Sequence, residues 1–215
     1  MRASFFFILF IPYSWAALSQ TREEVLESIK RSTFSNKNIY LFCRGTTSKP
    51  GLIAGHFNLK DTNITHVGVG YTENNSFCIF NVSDLKGYDN ALLIDSVNSF
   101  IASPDVYYFS IWEYKTTGRK MQRMKRILKS YPGRKIVFDV SFSLNNDDTL
   151  YCSEFCATVL NSIGLGTCHF TPVKKKLNDR LFVTILKREE LIYYPVDFFR
   201  ATNYFRLTKE FKIDK

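Results

Sequence analysis

Cysteine is the residue type in this chain best suited to nucleophilic chemistry. Cys152 lies in the first turn of a predicted helix from about Tyr151 to Ile163, with Asp148 or Thr149 as its cap. Free N–H groups at a helix N-terminus favour the thiolate, the reactive form of cysteine. We therefore expect Cys152 to be a nucleophile with a lowered thiol pKa. The alternative is a buried structural cysteine, which is how we interpret Cys156, one turn further on.

A thiol nucleophile needs a base, and an imidazole held by a third polar group is the usual one. The chain has three histidines, His56, His66 and His169. His66 begins an alternating strand in which Gly68 and Gly70 share its face. Because glycine has no side chain, we expect open space in front of His66.

An amide is available to orient this imidazole. Asn74 and Asn75 predict a two-residue hairpin turn, which places Glu73 opposite Ser76. Continued outwards, this register brings Asn81 onto the face of His66, at a diagonal separation of about 7 Å or less. A slip of one residue would send Asn81 to the other face. Asn81 is therefore the candidate third residue, or else it only satisfies polar groups at the strand end.

The surrounding elements predict an α+β domain. Alternating strands and a few amphipathic helices follow one another without an internal repeat. The long segment between the first strand and His66, rich in Gly, Ser, Thr and Lys, predicts a loop that forms one wall of a cleft. The expected elements are a helix at 21–31, strands at 38–43, 66–71, 77–83, 91–94, 106–112 and 136–142, a loop at 44–60, and a helix at 117–130.

Length and composition fit one exported domain. The chain has 215 residues and 45% hydrophobic residues, enough for a real core. A positive start, an apolar run and small residues predict a signal peptide at 1–19 and a single domain at 20–215. The run is shorter than the ~20 residues of a membrane span. We expect a periplasmic or extracellular protein.

Charge and cysteine count limit the partners. The net charge of +9 suits acidic wall polymer or anionic lipid headgroups on an exported protein, and we expect no nucleic acid partner. The alternative is a merely soluble basic surface. Five cysteines are an odd number, so at least one thiol is free or pairs with another molecule. Their spacing does not fit a zinc site, and we expect neither metal nor cofactor.

Two motifs resemble those of a known group, the circularly permuted NlpC-like, papain-like cysteine peptidases of YiiX/YebB type. The histidine motif precedes the cysteine motif, as in that group and in reverse of ordinary papain-like enzymes. The resemblance spans about Asn38 to Gly164. The matching segments are Tyr40-Leu41-Phe42, Arg44-Gly45-Thr46, Thr65-His66-Val67-Gly68-Val69, Phe138-Asp139 with Phe142, Leu150-Tyr151-Cys152-Ser153-Glu154-Phe155 and, more weakly, Tyr194-Pro195-Val196-Asp197.

This resemblance implies a papain-like fold, a mostly antiparallel sheet or small open barrel packed against the helix that carries the cysteine. It makes Cys152 the nucleophile and His66 the base. The group often has a carboxylate on the next strand, where this chain has Asn81; a Cys-His-Asn set is workable chemistry. Tyr151 and Glu154 match the motif and are expected at the substrate, as oxyanion donor and cation binder, unless they only pack and pair internally.

Three functions follow as hypotheses. The first is a hydrolase of amide bonds, including those of cell-wall peptides, acting through a thioester. The second is a lipid-directed acyl hydrolase or acyltransferase with the same Cys152–His66 pair. The third is an inactive secreted binding protein on the same fold, which predicts a buried Cys152 out of reach of His66. An apolar tunnel beside Cys152 would favour a lipid substrate, and a polar groove would favour a peptide.

Overall fold

The computed structural model describes residues 19–84, 89–144, 146–165 and 169–214. Within these ranges the chain alternates helices and strands. The helices are α1 (Arg22–Lys30), α2 (Lys49–His56), α3 (Val97–Phe100), α4 (Gly118–Ser130), α5 (Cys152–Ile163), α6 (Arg180–Leu186) and a short 3₁₀ helix (Phe198–Ala201).

The strands form one large sheet and two small ribbons. The large sheet has six antiparallel strands in the order β10-β5-β1-β2-β3-β4, so β10 and β4 lie at opposite edges rather than closing a barrel. The strands are β1 (Asn38–Thr46), β2 (His66–Glu73), β3 (Ser76–Val82), β4 (Leu92–Asp95), β5 (Val106–Lys115), β6 (Val137–Phe138), β7 (Thr149–Leu150), β8 (Val173–Lys176), β9 (Glu190–Tyr193) and β10 (Arg206–Lys212).

The β2–β3 hairpin has the register that the sequence predicts. Asn74 and Asn75 both take positive φ angles, 51° and 62°, as a two-residue turn requires. Glu73 pairs with Ser76, and the pairing continues to Val69 opposite Phe80. This register decides which side chains share the face of His66.

Both faces of the large sheet are covered. Alternate residues of β1 and β2, among them Leu41 and Val67, pack with α4 and α5 on one face. The intervening residues, among them Tyr40 and Phe42, pack with α1 and α3 on the other. The α+β class and the antiparallel sheet are therefore as expected, and α5 lies against β2 with Cys152 at its N-terminus.

Three predicted elements differ from the structure. The expected loop at 44–60 instead completes β1 and forms α2, because the Ser48 hydroxyl accepts the N–H of Gly51 and caps a helix. The strand expected at 136–142 is confined to Val137–Phe138. Thr149 does not cap α5 but lies in β7, and the cap residue is Tyr151.

The described part of the chain contains no disulfide and no helix of membrane-spanning length. Cys43, Cys78, Cys152 and Cys156 are free thiols. Cys168 and the predicted signal peptide up to residue 18 lie outside the described residues. In the described part of the chain, no helix has the length and apolar character needed to cross a membrane.

Candidate active site

His66 and Asn81 are in direct contact. His66 begins β2, and its Nε2 atom lies 2.9 Å from Oδ1 of Asn81 on β3. Both side chains are buried. The hairpin register therefore brings the predicted imidazole and amide together on one face.

Asp95, which sequence reasoning missed, fixes the orientation of this amide. Nδ2 of Asn81 donates to Oδ2 of Asp95 at 2.9 Å, so Oδ1 is the amide atom that faces His66. An amide oxygen only accepts, so Nε2 of His66 carries the proton and Nδ1 has the free lone pair. The only signal in the sequence was a carboxylate directly after the strand predicted at 91–94. In the structure Leu93 pairs with Asn81, and Asp95 is the next residue on the face of Leu93.

Gly68 does not leave open space, contrary to expectation. A Cβ atom added there would lie 2.8 Å from Cγ2 of Ile79 and 3.1 Å from Cβ of Asn81. At Gly70 it would overlap the carbonyl oxygen of Cys78. Cross-strand neighbours fill the space, so the glycines allow β3 and Asn81 to approach His66 closely.

Cys152 lies at the N-terminus of α5 beside β2. Backbone groups of Val67 and Ser153 lie where they favour its thiolate, and the side chain lines the same cavity as His66. No hydrogen bond joins the thiol to the imidazole among the described residues. In hydrolases such contacts commonly tighten only when substrate binds.

Burial reverses the expected electrostatics of Cys152. Loss of solvation raises the pKa of the thiol, and the backbone hydrogen bonds and the Arg44 charge only partly oppose this. Burial and the Arg44 charge lower the pKa of His66 to about 3. The expectation that the thiol pKa is lowered is therefore wrong. Desolvation raises this pKa by more than the groups at the helix N-terminus lower it. At neutral pH the pair is a thiol and a neutral imidazole.

The two side chains open onto a cavity of about 980 Å³. Its lining from α3 and the segment that follows it is mostly polar, whereas its lining from α2, α6 and β9 is mostly apolar. The polar set is Asn98, Ser99, Ser103 and Asp105, and the apolar set is Ile53, Ala54, Phe57, Phe182, Ile185, Leu186 and Leu191. The segment predicted to form a wall of the cleft does so, but it is the helix α2 and not a loop.

Tyr151 and Glu154 have different positions. Tyr151 lines the cavity, but its hydroxyl accepts the N–H of Tyr194 at 2.7 Å. Glu154 is not among the lining residues; it is buried and its carboxylate accepts the N–H of Tyr151 at 3.4 Å. Burial raises the pKa of Glu154 to about 8. The geometry favours the internal role for Glu154 over substrate binding.

Asp197 supports the segment that leads into β2. Its fully buried carboxylate accepts three backbone N–H groups, those of Leu59, Lys60 and Asp61, at 2.7 to 3.0 Å. The weak Tyr194–Asp197 motif in the sequence gave no indication of this role. The contact joins the residue that precedes the 3₁₀ helix to the segment that precedes His66.

Comparison with solved structures gives one fold relative. The crystal structure of YiiX, a metalloprotein from Escherichia coli, superposes with a TM-score of 0.58 over 82% of this chain and 98% of that one, at 15% sequence identity. No protein-family model and no curated protein matches the chain. At this identity the likeness shows a YiiX-like fold and nothing further about activity.

The description of YiiX as a metalloprotein raises the question of a metal centre here. In the ranges that the structure describes, no group of three or more His, Cys, Asp or Glu side chains is placed to hold a metal ion. Nδ1 of His66 keeps a free lone pair, but one imidazole does not by itself make a metal site. The described residues do not fit a metal.

Proposed function

We propose that the protein is a thiol acyl hydrolase or acyltransferase with Cys152 as nucleophile, His66 as base and Asn81 as the residue that orients the base. The single observation that carries this proposal is the chain of hydrogen bonds from Asp95 through Asn81 to His66, at the wall of a cavity that Cys152 also lines. A packing role for these side chains would need no such chain of contacts.

The proposed reaction has two halves. Nδ1 of His66 takes the thiol proton as Sγ of Cys152 bonds to the substrate carbonyl carbon, and the imidazolium then protonates the leaving group. Water attacks the resulting thioester, with His66 again as base, and releases a carboxylic acid and the free thiol. The N–H groups in the first turn of α5, including that of Cys152, have no acceptor within the helix and are candidates to bind the oxyanion.

The apolar cavity wall favours an acyl-lipid substrate. A hydrocarbon chain can lie against α2 and α6, where Phe57, Phe182 and Leu186 contribute apolar surface. Hydrolysis of a peptide amide is the second candidate, because the polar side around Asn98 and Ser99 can hold a polar leaving group. In both candidate functions the protein is exported through the predicted signal peptide. Its basic surface suits an anionic substrate in the cell envelope.

Acyl-chain dependence tests this proposal. The mature protein is mixed with 4-nitrophenyl acetate, 4-nitrophenyl decanoate and a peptide 4-nitroanilide, and acylated residues are identified by mass spectrometry. We expect turnover of the decanoate with a higher kcat/KM than the acetate, and an acyl group on Cys152. A higher kcat/KM for the anilide would favour the peptide candidate.

Variants separate catalysis from nonspecific thiol reactivity. Cys152→Ala should abolish turnover, and His66→Ala should lower kcat by roughly 10²- to 10⁴-fold. Cys78→Ala is the matched control, because it removes a half-buried thiol outside the cavity lining. Turnover that survives in Cys152→Ala would sink the enzyme proposal and leave the binding-protein hypothesis.

A further inference from the structure

Arg44 places a positive charge beside the candidate active site. It lies on β1 directly opposite His66 in the β1–β2 register, and it lines the cavity. Its charge lowers the pKa of both His66 and the Cys152 thiol, as expected for a cation close to both. The sequence motifs included Arg44 but gave it no role.

The Arg44 guanidinium forms no salt bridge in the described part of the chain, although the charges of Asp95 and Asp105, which also line the cavity, act on it. The half-buried Arg200, by contrast, pairs directly with Asp61. Arg44 instead donates from Nη1 to the carbonyl oxygen of Phe100 and lies 4.7 Å above the centroid of the Phe100 ring. Its Nε is buried without a hydrogen-bond partner.

A cation in such a place, without a direct salt bridge, is costly to the folded state. Burial lowers the pKa of Arg44, and the charges of Asp95 and Asp105 oppose this only in part. Buried charges are normally paired, because desolvation costs several kcal/mol per ion. A guanidinium has five N–H donors in a planar fork that suits carboxylate and phosphate. A guanidinium at a cavity wall with no direct salt bridge can bind an anion that enters the cavity.

The shape of the cavity limits what else this anion carries. Away from Arg44 the wall formed by α2 and α6 is apolar, and about 980 Å³ is room for a ligand of lipid size. We propose that Arg44 and this apolar wall form one binding site for an anionic amphiphile. The carboxylate or phosphate bonds the guanidinium, and the hydrocarbon chain lies between Ile53, Phe57 and Phe182.

This site deepens the proposed function and rests on it for its biological meaning. A fatty acid is the product of the proposed acyl hydrolysis, and a lysophospholipid presents a phosphate near an acyl carbonyl. Both share one chemistry, a single anion on a hydrocarbon chain. Arg44 would then decide which acyl compounds bind, whereas Cys152 and His66 carry out the reaction.

Calorimetry on the mature Cys152→Ala protein tests the site without needing catalysis. The probes are dodecanoate, dodecyl phosphate, dodecanol and dodecyltrimethylammonium, all below their micelle concentrations. With Arg44 intact, we expect one of the two anions to bind at least 10-fold more tightly than the alcohol or the cation. The tighter of the two identifies the head group as carboxylate or phosphate. Equal affinity for all four probes would overturn the proposal.

Substitution of the cation gives a second, independent readout. Arg44→Gln should weaken binding of the preferred anion roughly 10- to 100-fold and leave dodecanol binding unchanged. Arg44→Lys should retain part of the affinity. Arg22→Gln is the matched control, because Arg22 also donates to backbone carbonyls but does not line the cavity. An equal loss for anion and alcohol in Arg44→Gln would mean a structural role only.

The outcomes also separate this site from the proposed function. If dodecanoate binds through Arg44 but wild-type protein forms no acyl group on Cys152, the binding site stands and the hydrolase proposal fails. If Cys152 is acylated but the anions have no preference for Arg44, the hydrolase proposal stands and this site does not exist. If Arg44→Gln does not fold, the four-probe comparison on the Arg44-containing protein decides the question alone.

Discussion

Asn81 accepts a hydrogen bond from Nε2 of His66 at 2.9 Å and donates one to Asp95 at 2.9 Å. The amide is therefore held at both ends, and only one imidazole tautomer fits. This tautomer leaves Nδ1 as the basic atom. Substitutions at Asn81 or Asp95 can therefore test the orientation of His66 while the imidazole itself remains in place.

We predict that Asn81→Ala lowers kcat by up to about 10²-fold, less than His66→Ala, because the base is present but no longer held. Asp95→Ala should have a smaller effect in the same direction, since the amide can then rotate. Steady-state kinetics on 4-nitrophenyl decanoate measures both. Asp105→Ala, another cavity carboxylate without a contact to Asn81, is the control, and an equal loss there would contradict the proposed chain of contacts.

We predict that Cys152 is alkylated slowly at neutral pH and faster as the pH rises above 9. Its pKa is raised by burial, so the thiolate fraction increases only at alkaline pH. Arg44→Gln should move this rise to still higher pH, because the Arg44 charge lowers the pKa. The measurement is the rate of iodoacetamide labelling against pH, with sites assigned by mass spectrometry. Rapid labelling at pH 6 would refute the neutral thiol.

We predict that His66 makes the fold sensitive to acid. Its pKa falls from 6.5 to about 3 in the folded state, so the unfolded state binds the proton first. The free energy of unfolding should therefore decrease as the pH falls from about 6.5 towards 3. Urea unfolding at pH 7 and pH 4.5 should differ less in His66→Gln than in wild type. His169→Gln, at an exposed position, should behave as wild type.

We predict the opposite sign for Glu154. Its pKa rises from 4.5 to about 8 on folding, so stability is full below pH 4.5 and decreases as the pH rises towards 8. Glu154→Gln should remove this decrease and raise the melting temperature at pH 8 relative to wild type. A matched substitution of an exposed acid, Glu23→Gln, should leave the pH profile unchanged. No gain at pH 8 would show that the carboxylate is better solvated than its burial indicates.

We predict that Gly68→Ala costs both stability and activity. The new Cβ would clash with Ile79 and crowd Asn81, which overpacks the sheet by roughly 1–3 kcal/mol. Displacement of Asn81 should also lower kcat. Gly133→Ala is the control, because a Cβ there meets nothing within 4 Å. Thermal unfolding and kinetics on both variants check the prediction, and a fully active Gly68→Ala would show that Asn81 need not lie so close.

The chain's local patterns alone predicted the parts of the site that depend on neighbouring residues. The Asn74–Asn75 turn and the alternation of β2 and β3 predict the pairing that joins His66 to Asn81. A two-residue turn fixes strand register, and register fixes the shared face. The start of α5 at Cys152 follows in the same way from helical periodicity.

Only the tertiary structure decided the rest, because it depends on residues far apart in the chain. Asp95 reaches Asn81, and Arg44 lies against Phe100, through packing that no local pattern encodes. The same packing reversed the expected pKa of Cys152, since desolvation depends on every element that covers a group. The apolar cavity wall formed by α2 and α6, on which the lipid proposal rests, likewise exists only once these helices pack beside one cavity.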